Sequence, residues 1–235
     1  MSEATEFEPL LLFPGLGADA RMFAPLRSAL PQLVTPHWIE PERNEPLALY
    51  ARRLAQAVDP GRPCFVGGAS FGGVVALEMS AALNARACFL IGSMRSPLGL
   101  PWRVKALRPF TPLVGRLPRM SPLLVRLLGS WLRSPTHGVM VQLSDADARF
   151  LKWAARAILT WQPSPEIAGV RICQIHGDCD RVFPVRMAKP DHLVSGAGHL
   201  ISITHPQPVV EFLQERMATI AGETSSVQSG SAADV

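Results

Sequence analysis

The sequence has no run approaching the roughly twenty consecutive apolar residues that cross a bilayer, so a transmembrane chain is not expected. Residues 1–9 carry Glu3, Glu6 and Glu8 and no basic residue. A secretory signal needs a positive start and then an apolar stretch, so a cytoplasmic location is expected. Charged residues are few, 18% against 48% hydrophobic, which excludes a disordered chain and fits a globular domain with a large apolar core. There are four cysteines, Cys64, Cys88, Cys173 and Cys179, without metal-ligand spacing. No metal site and no cofactor are expected from them, and in a reducing compartment no disulfide. The first three lie within apolar runs and read as buried thiols. There is no internal repeat.

Acidic residues are missing from one long stretch: none occurs between Glu78 and Asp145. Segment 93–144 holds Arg95, Arg103, Lys105, Arg108, Arg116, Arg119, Arg126 and Arg133, a charge of +8. The rest of the chain, with 15 basic and 19 acidic residues, carries −4. Basicity confined to one region is either a solvated face or a surface for an acidic partner. The arginines alternate with aliphatic residues and prolines in no recognisable nucleic-acid motif, so nucleic acid is not an expected partner.

At 235 residues the chain is long enough for one sizeable domain. Residues 10–13 form an apolar run that ends at Pro14-Gly15-Leu16-Gly17, a buried strand feeding a tight loop. Asp19 caps a helix to about Leu30, and 33–39 reads as a second strand. Over 46–58 helical spacing puts Leu47, Tyr50, Ala51, Leu54 and Val58 on one side. Residues 64–67 form a third strand, 70–84 a helix rich in small and aliphatic residues, and 87–91 a fourth strand. This alternation requires crossover connections and hence a parallel sheet, an α/β fold.

The pattern breaks at Ser93, and 93–165 reads as a helical insertion. One helix starts at Ser121-Pro122, with Leu123, Leu124, Leu127, Leu128, Trp131 and Leu132 on its apolar face. Another starts near Ser144, with Asp145 and Asp147 at its positive end. Phe150, Ala154, Ala157, Ile158 and Trp161 line one side of it. Strands resume over 170–176 and 192–194, and 206–220 is a closing helix. The α/β core therefore comprises 1–92 and 166–221, and the Ser-, Gly- and Ala-rich segment 222–235 is expected to be a flexible tail.

Gly68-Ala69-Ser70-Phe71-Gly72 lies between a strand and a helix, the setting of a Gly-x-Ser-x-Gly nucleophile elbow. A seryl hydroxyl needs a base to take its proton. His199, in Gly196-Ala197-Gly198-His199 ahead of the last helix, is the expected base. His37 and His137 lie in an early strand and in the insertion, His205 precedes Pro206, and His176 and His192 occupy strand positions of structural type. The imidazole needs an acid, and His176-Gly177-Asp178-Cys179-Asp180 offers two. Asp180 is preferred because it opens the turn over 181–184, while Asp178 is placed to hold the loop. The amides of Phe71, after the nucleophile, and of Leu16, after the first strand, are the expected oxyanion donors.

With these four blocks in order, the chain resembles the α/β-hydrolase superfamily over about residues 10–220. In the third block the family acid falls on Asp180. The resemblance implies a helical cap over the site, for which 93–165 is in the right place. Phe13-Pro14 stands where many relatives have His-Gly. The chain begins at what looks like the family's third strand, which implies a sheet of about six strands, mostly parallel, with helices on both faces.

A serine nucleophile with an amide oxyanion hole suits acyl transfer to water from a small-molecule carboxylic ester or thioester. Trp102, Trp131, Trp153 and Trp161, with Phe110, are candidates for an acyl pocket, or else pack the cap onto the core. The basic cap resembles, in kind only, that of pimeloyl-ACP methyl ester esterases, which implies an acidic acyl carrier protein, or an anionic lipid surface, as a partner. The fold also serves as a non-catalytic ligand-binding module.

Overall fold

The computed structural model describes residues 7–106, 108–110 and 147–231. The helix expected from Ser121-Pro122 with Trp131 on its face lies outside them, as do Arg116, Arg119, Arg126, Arg133, His137 and Asp145.

Six strands form one sheet: β1 (Leu10–Phe13), β2 (Leu33–Val34), β3 (Cys64–Ala69), β4 (Ala85–Ile91), β5 (Ile172–Gly177) and β6 (His192–Val194). Their order is β2-β1-β3-β4-β5-β6, and every neighbouring pair is parallel. The longer helices are α1 (Leu47–Val58), α2 (Phe71–Ser80), α3 (Ala148–Thr160) and α4 (Pro206–Ser231).

The strand sequences show why the sheet is covered on both sides. All four residues of β1 are buried. Alternate side chains enter different layers, as the pleat requires. Leu10 and Leu12 pack with Phe89, Ile175 and the α4 residues Phe212 and Leu213. Leu11 and Phe13 pack with Tyr50 and Leu54 of α1 and Val74 and Leu77 of α2. A strand buried on both faces reads as a continuous apolar run, not as an alternating one.

The chain passes from β1 outward to β2 and then returns to the other side of β1 as β3. At such a reversal the loops leaving two adjacent strands diverge and open a crevice at the carboxyl ends. The loop after β1 and the turn after β3 both lie there. All ten residues of α2, the helix that follows β3, are buried, as suits a helix without a polar face.

Several boundaries differ from the sequence-based expectation. The second strand spans only Leu33–Val34, not 33–39. It is the edge strand, and Pro36, which has no N–H to donate, ends the pairing. The chain then turns inward, and Trp38 packs on Phe13 and Phe71 at centroid distances of 5.3 and 6.0 Å. The segment after Asp19 is a 3-10 helix, Ala20–Leu26, containing Pro25. The Asp19 side chain caps it by accepting from the Arg21 amide. The closing helix continues past 220 to Ser231. Among the described residues no helix is long and apolar enough to cross a membrane.

α3 is fastened to the core by its tryptophans. The Trp153 indole N–H donates to the Glu45 carbonyl oxygen at 2.9 Å, and its ring packs on Tyr50 at 4.2 Å. Trp161, just past the helix end, donates to Glu78 Oε1 at 2.7 Å, and the Ser164 amide reaches the same oxygen at 3.2 Å. Glu78 belongs to α2, so the chain just past α3 is tied to the helix that follows Ser70. Replacing Glu78 by Ala strands the buried Trp161 indole and the half-buried Ser164 amide and should cost about 2–4 kcal/mol. Glu78→Gln retains an acceptor and should cost no more than about 1 kcal/mol. Urea unfolding midpoints of the two variants measure the difference.

Candidate active site

Ser70 sits between β3 and α2 with φ 51° and ψ −120°. That left-handed region costs a non-glycine residue about 1–3 kcal/mol. Hydrogen bonds hold the turn at both ends. The Ser70 amide donates to the Ile91 carbonyl at 3.0 Å, and its own carbonyl accepts from the Gly73 amide at 3.1 Å and from the Ser93 hydroxyl at 2.6 Å. The glycines of the pentapeptide are needed for close approach. A Cβ on Gly72 would stand 2.2 Å from the Phe13 carbonyl oxygen, and one on Gly68 2.5 Å from the Gly72 carbonyl carbon. The turn therefore presses against the end of β1.

His199 comes from the loop after β6 and Asp180 from the loop after β5. The two loops are stitched together: the Cys179 amide donates to the Ala197 carbonyl at 2.9 Å, and the Asp178 amide to the Val194 carbonyl at 3.1 Å. Gly177 makes this possible, because a Cβ there would lie 2.3 Å from the Ala197 carbonyl oxygen. The result is a continuous chain of contacts. His199 Nε2 is 2.9 Å from Ser70 Oγ, and His199 Nδ1 is 2.8 Å from Asp180 Oδ2. The Phe183 ring packs against the imidazole at 5.4 Å with its plane turned by 72°.

Asp180 is fully buried. Its Oδ1 accepts from the Val182 and Phe183 amides at 2.8 and 3.0 Å. Its Oδ2 faces His199 and also His176 Nε2, at 3.0 Å. Burial opposes the charge, yet the hydrogen bonds from His176 and His199 outweigh it, and the carboxyl is held well below the usual carboxylate range. Asp178, the other candidate, is exposed.

The Gly15–Leu16 loop lies against Ser70, since a Cβ on Gly15 would be 3.5 Å from Ser70 Cβ. Among the described residues neither the Leu16 nor the Phe71 amide donates a hydrogen bond to another protein group. The Phe71 amide also opens α2, where the helix end carries partial positive charge. The two amides expected to serve an oxyanion are thus available to one.

Of the two roles expected for the tryptophans, walls of a pocket or packing onto the core, Trp153 and Trp161 take the second. Trp153 and Trp161 are buried and fasten α3, because their indole N–H groups find carbonyl and carboxylate partners in the core. Trp102 is 70% exposed, and Trp131 lies outside the described residues. A cavity of about 380 Å³ instead opens beside Gly17, between Trp38, Ile39, Glu40, Arg149 and Phe150. Trp38 and Phe150 pack together at 5.3 Å. Among the described residues no group of three or more His, Cys, Asp or Glu side chains is placed to hold a metal. Ser93, His176, Trp38 and Phe150 were not singled out as site residues by sequence. Their neighbours are distant in the chain, and only His176, four residues before Asp180, carries a local signal.

A family model described as the alpha/beta hydrolase family matches residues 10–212. No sequence among curated proteins matches the chain. Solved structures match over most of their length. A thermophilic esterase from Thermogutta terrifontis aligns at TM-score 0.74 and 17% identity, over 91% of this chain and 90% of its own. An esterase from Exiguobacterium antarcticum aligns at TM-score 0.70 and 17% identity, over 90% and 92%. An N-acyl homoserine lactonase, AidH, aligns at TM-score 0.68 and 17% identity, over 92% and 90%. At these identities the structural likeness speaks for the fold alone, and the match over 10–212 carries the assignment. The all-parallel sheet with a strand-to-helix turn at Ser70 and the family match agree: the chain belongs to the alpha/beta hydrolase family.

Proposed function

We propose that the protein is a serine hydrolase that cleaves a small carboxylic ester or thioester through an acyl-enzyme on Ser70. What carries this reading is the contact chain from Ser70 Oγ through His199 to the buried Asp180. Two lines support the ester class. The Leu16 and Phe71 amides flank the nucleophile as free donors. Members of the same fold include two esterases and a lactonase, and a lactone is a cyclic ester.

His199 Nε2 takes the hydroxyl proton as Ser70 Oγ attacks the acyl carbon. The carbonyl π electrons move to oxygen, and the Leu16 and Phe71 amides stabilise that anion. The imidazolium, held by Asp180, returns the proton to the leaving alcohol or thiol as its bond to the acyl carbon breaks. Water, deprotonated by His199, then releases the acid and restores Ser70. Docking of an acidic acyl carrier on the insertion is a second proposal, supported by the eight basic and no acidic residues of 93–144. Reversing Arg126 and Arg133 to Glu addresses it. A non-catalytic binder is the competing class.

Hydrolysis of p-nitrophenyl butyrate with labelling by a fluorophosphonate separates these. The native chain should label at Ser70, and Ser70→Ala should lose both labelling and about 10⁴-fold or more of kcat. A variant that keeps full activity would sink the mechanism, and a native chain that neither labels nor hydrolyses would favour the binder.

Asp180 should also leave a mark on stability. Its proton affinity is lowered by folding, so its contribution is complete above about pH 4 and drains away as pH falls toward its depressed pKa. Urea midpoints of the native chain should therefore drop below about pH 4, more steeply than those of Asp180→Asn. The same variant should lose roughly 10³–10⁴-fold in kcat at neutral pH.

A further inference from the structure

The second histidine on Asp180 has no part in the proton transfers above. His176 is the last residue but one of β5 and is fully buried. Its Nε2 faces two acceptors, the Phe183 carbonyl oxygen at 2.7 Å and Asp180 Oδ2 at 3.0 Å. Two acceptors at one ring nitrogen require that nitrogen to carry the proton. Nδ1, by contrast, is buried and has no partner among the described residues. A proton there would be an unsatisfied buried donor. The ring is therefore set as a single donor at Nε2: its hydrogen bond goes to the Phe183 carbonyl, and Asp180 Oδ2 lies 3.0 Å from the same nitrogen.

We propose that His176 is a positioning residue for the reaction: its one N–H is shared between the Asp180 carboxylate and the Phe183 carbonyl. This has two effects. It fixes the rotation of the carboxylate and the turn over 180–183, together with the amide bonds to Oδ1, so that Oδ2 meets His199 Nδ1. It also draws off part of the charge on Oδ2, the same oxygen that His199 uses. The donor at His176 thereby moderates how strongly Asp180 supports the His199 imidazolium. Asp180 is acted on by His176 and His199. The neighbouring titratable side chains, Asp178 and Cys179, are exposed. The β4 end approaches the acid through Gly92, and the His199 loop passes over Gly177 through Ala197 and Gly198, none of which titrates.

The inference rests on the hydrolase reading and is separable from it. His176→Leu and His176→Gln, made in the full chain, are compared on p-nitrophenyl butyrate across about pH 5–9. A glutamine amide reaches the position of Nε2, while leucine fills the space without a donor. His176→Leu should lower kcat about 10–100-fold, as expected for loss of a partner that orients a reacting group, with KM changed less than about twofold. The acid limb of its kcat/KM profile should move to higher pH, because an Oδ2 freed of one donor favours the imidazolium. His176→Gln should recover most of the rate and the native profile. Equal losses in both variants with an unchanged pH profile would reduce His176 to packing, and a fully active His176→Leu would do the same. Should His176→Leu fail to fold, His176→Asn replaces it. Its amide is too short to reach Asp180, so identical rates and profiles for Asn and Gln would overturn the proposal. If Ser70→Ala stays active, the nucleophile assignment falls first and the positioning role falls with it.

Discussion

The backbone turn at Ser70 is the constraint on which the remaining features depend. Its positive φ keeps the hydroxyl clear of the sheet, and the turn is so tight that Gly68 and Gly72 press on each other and on Phe13. A conformation that costs energy persists only where its surroundings over-determine it. Here the Ser70 amide is taken by Ile91, and its carbonyl by Gly73 and Ser93. β4 thus holds the elbow from one side, while β1, pressed against the two glycines, bounds it on the other. The parallel order that places β1 and β3 side by side at the reversal also brings the Leu16 loop to Ser70.

The second constraint is electrostatic. A buried carboxylate must have its lone pairs occupied, or it takes up a proton instead. Asp180 is served by two amides from its own turn and by two imidazoles, one on its strand and one from the next loop. The amides come free with the tight turn after β5. The imidazoles require β5, β6 and their loops to be in register, and Gly177 lets those loops cross. Sheet pairing and charge burial therefore support each other at this edge.

α3 and the residue after it meet the core through aromatic side chains with polar handles. Trp153 and Trp161 bury their rings and still satisfy their N–H groups on Glu45 and Glu78. This is what an indole needs in an interior. Phe150, one helical turn before Trp153, has no such handle. It lies against Trp38 and lines the cavity beside the Gly17 loop. The same helix thus serves as anchor and as wall, and which residue does which follows from hydrogen-bonding chemistry.

By itself the sequence determined the α/β class, the parallel sheet and the residues that meet at the site. Those follow from local signals: two-sided apolar strands, a Gly-x-Ser-x-Gly turn, and loops rich in Gly and Asp. β1 is where its apolar run places it, because burial on both faces leaves a continuous apolar pattern. Where pairing ends is less legible. β2 stops at Val34 because it lies at the sheet edge, and edge position is a property of strand order. Only the tertiary structure decided which tryptophans anchor and which aromatics face space, since that depends on partners such as Glu78 and Glu45 that are more than eighty residues away. It also decided that His176 joins His199 on one carboxylate oxygen. The spacing to Asp180 is visible in the chain, but the contact exists only because the turn after β5 folds the acid back over its own strand.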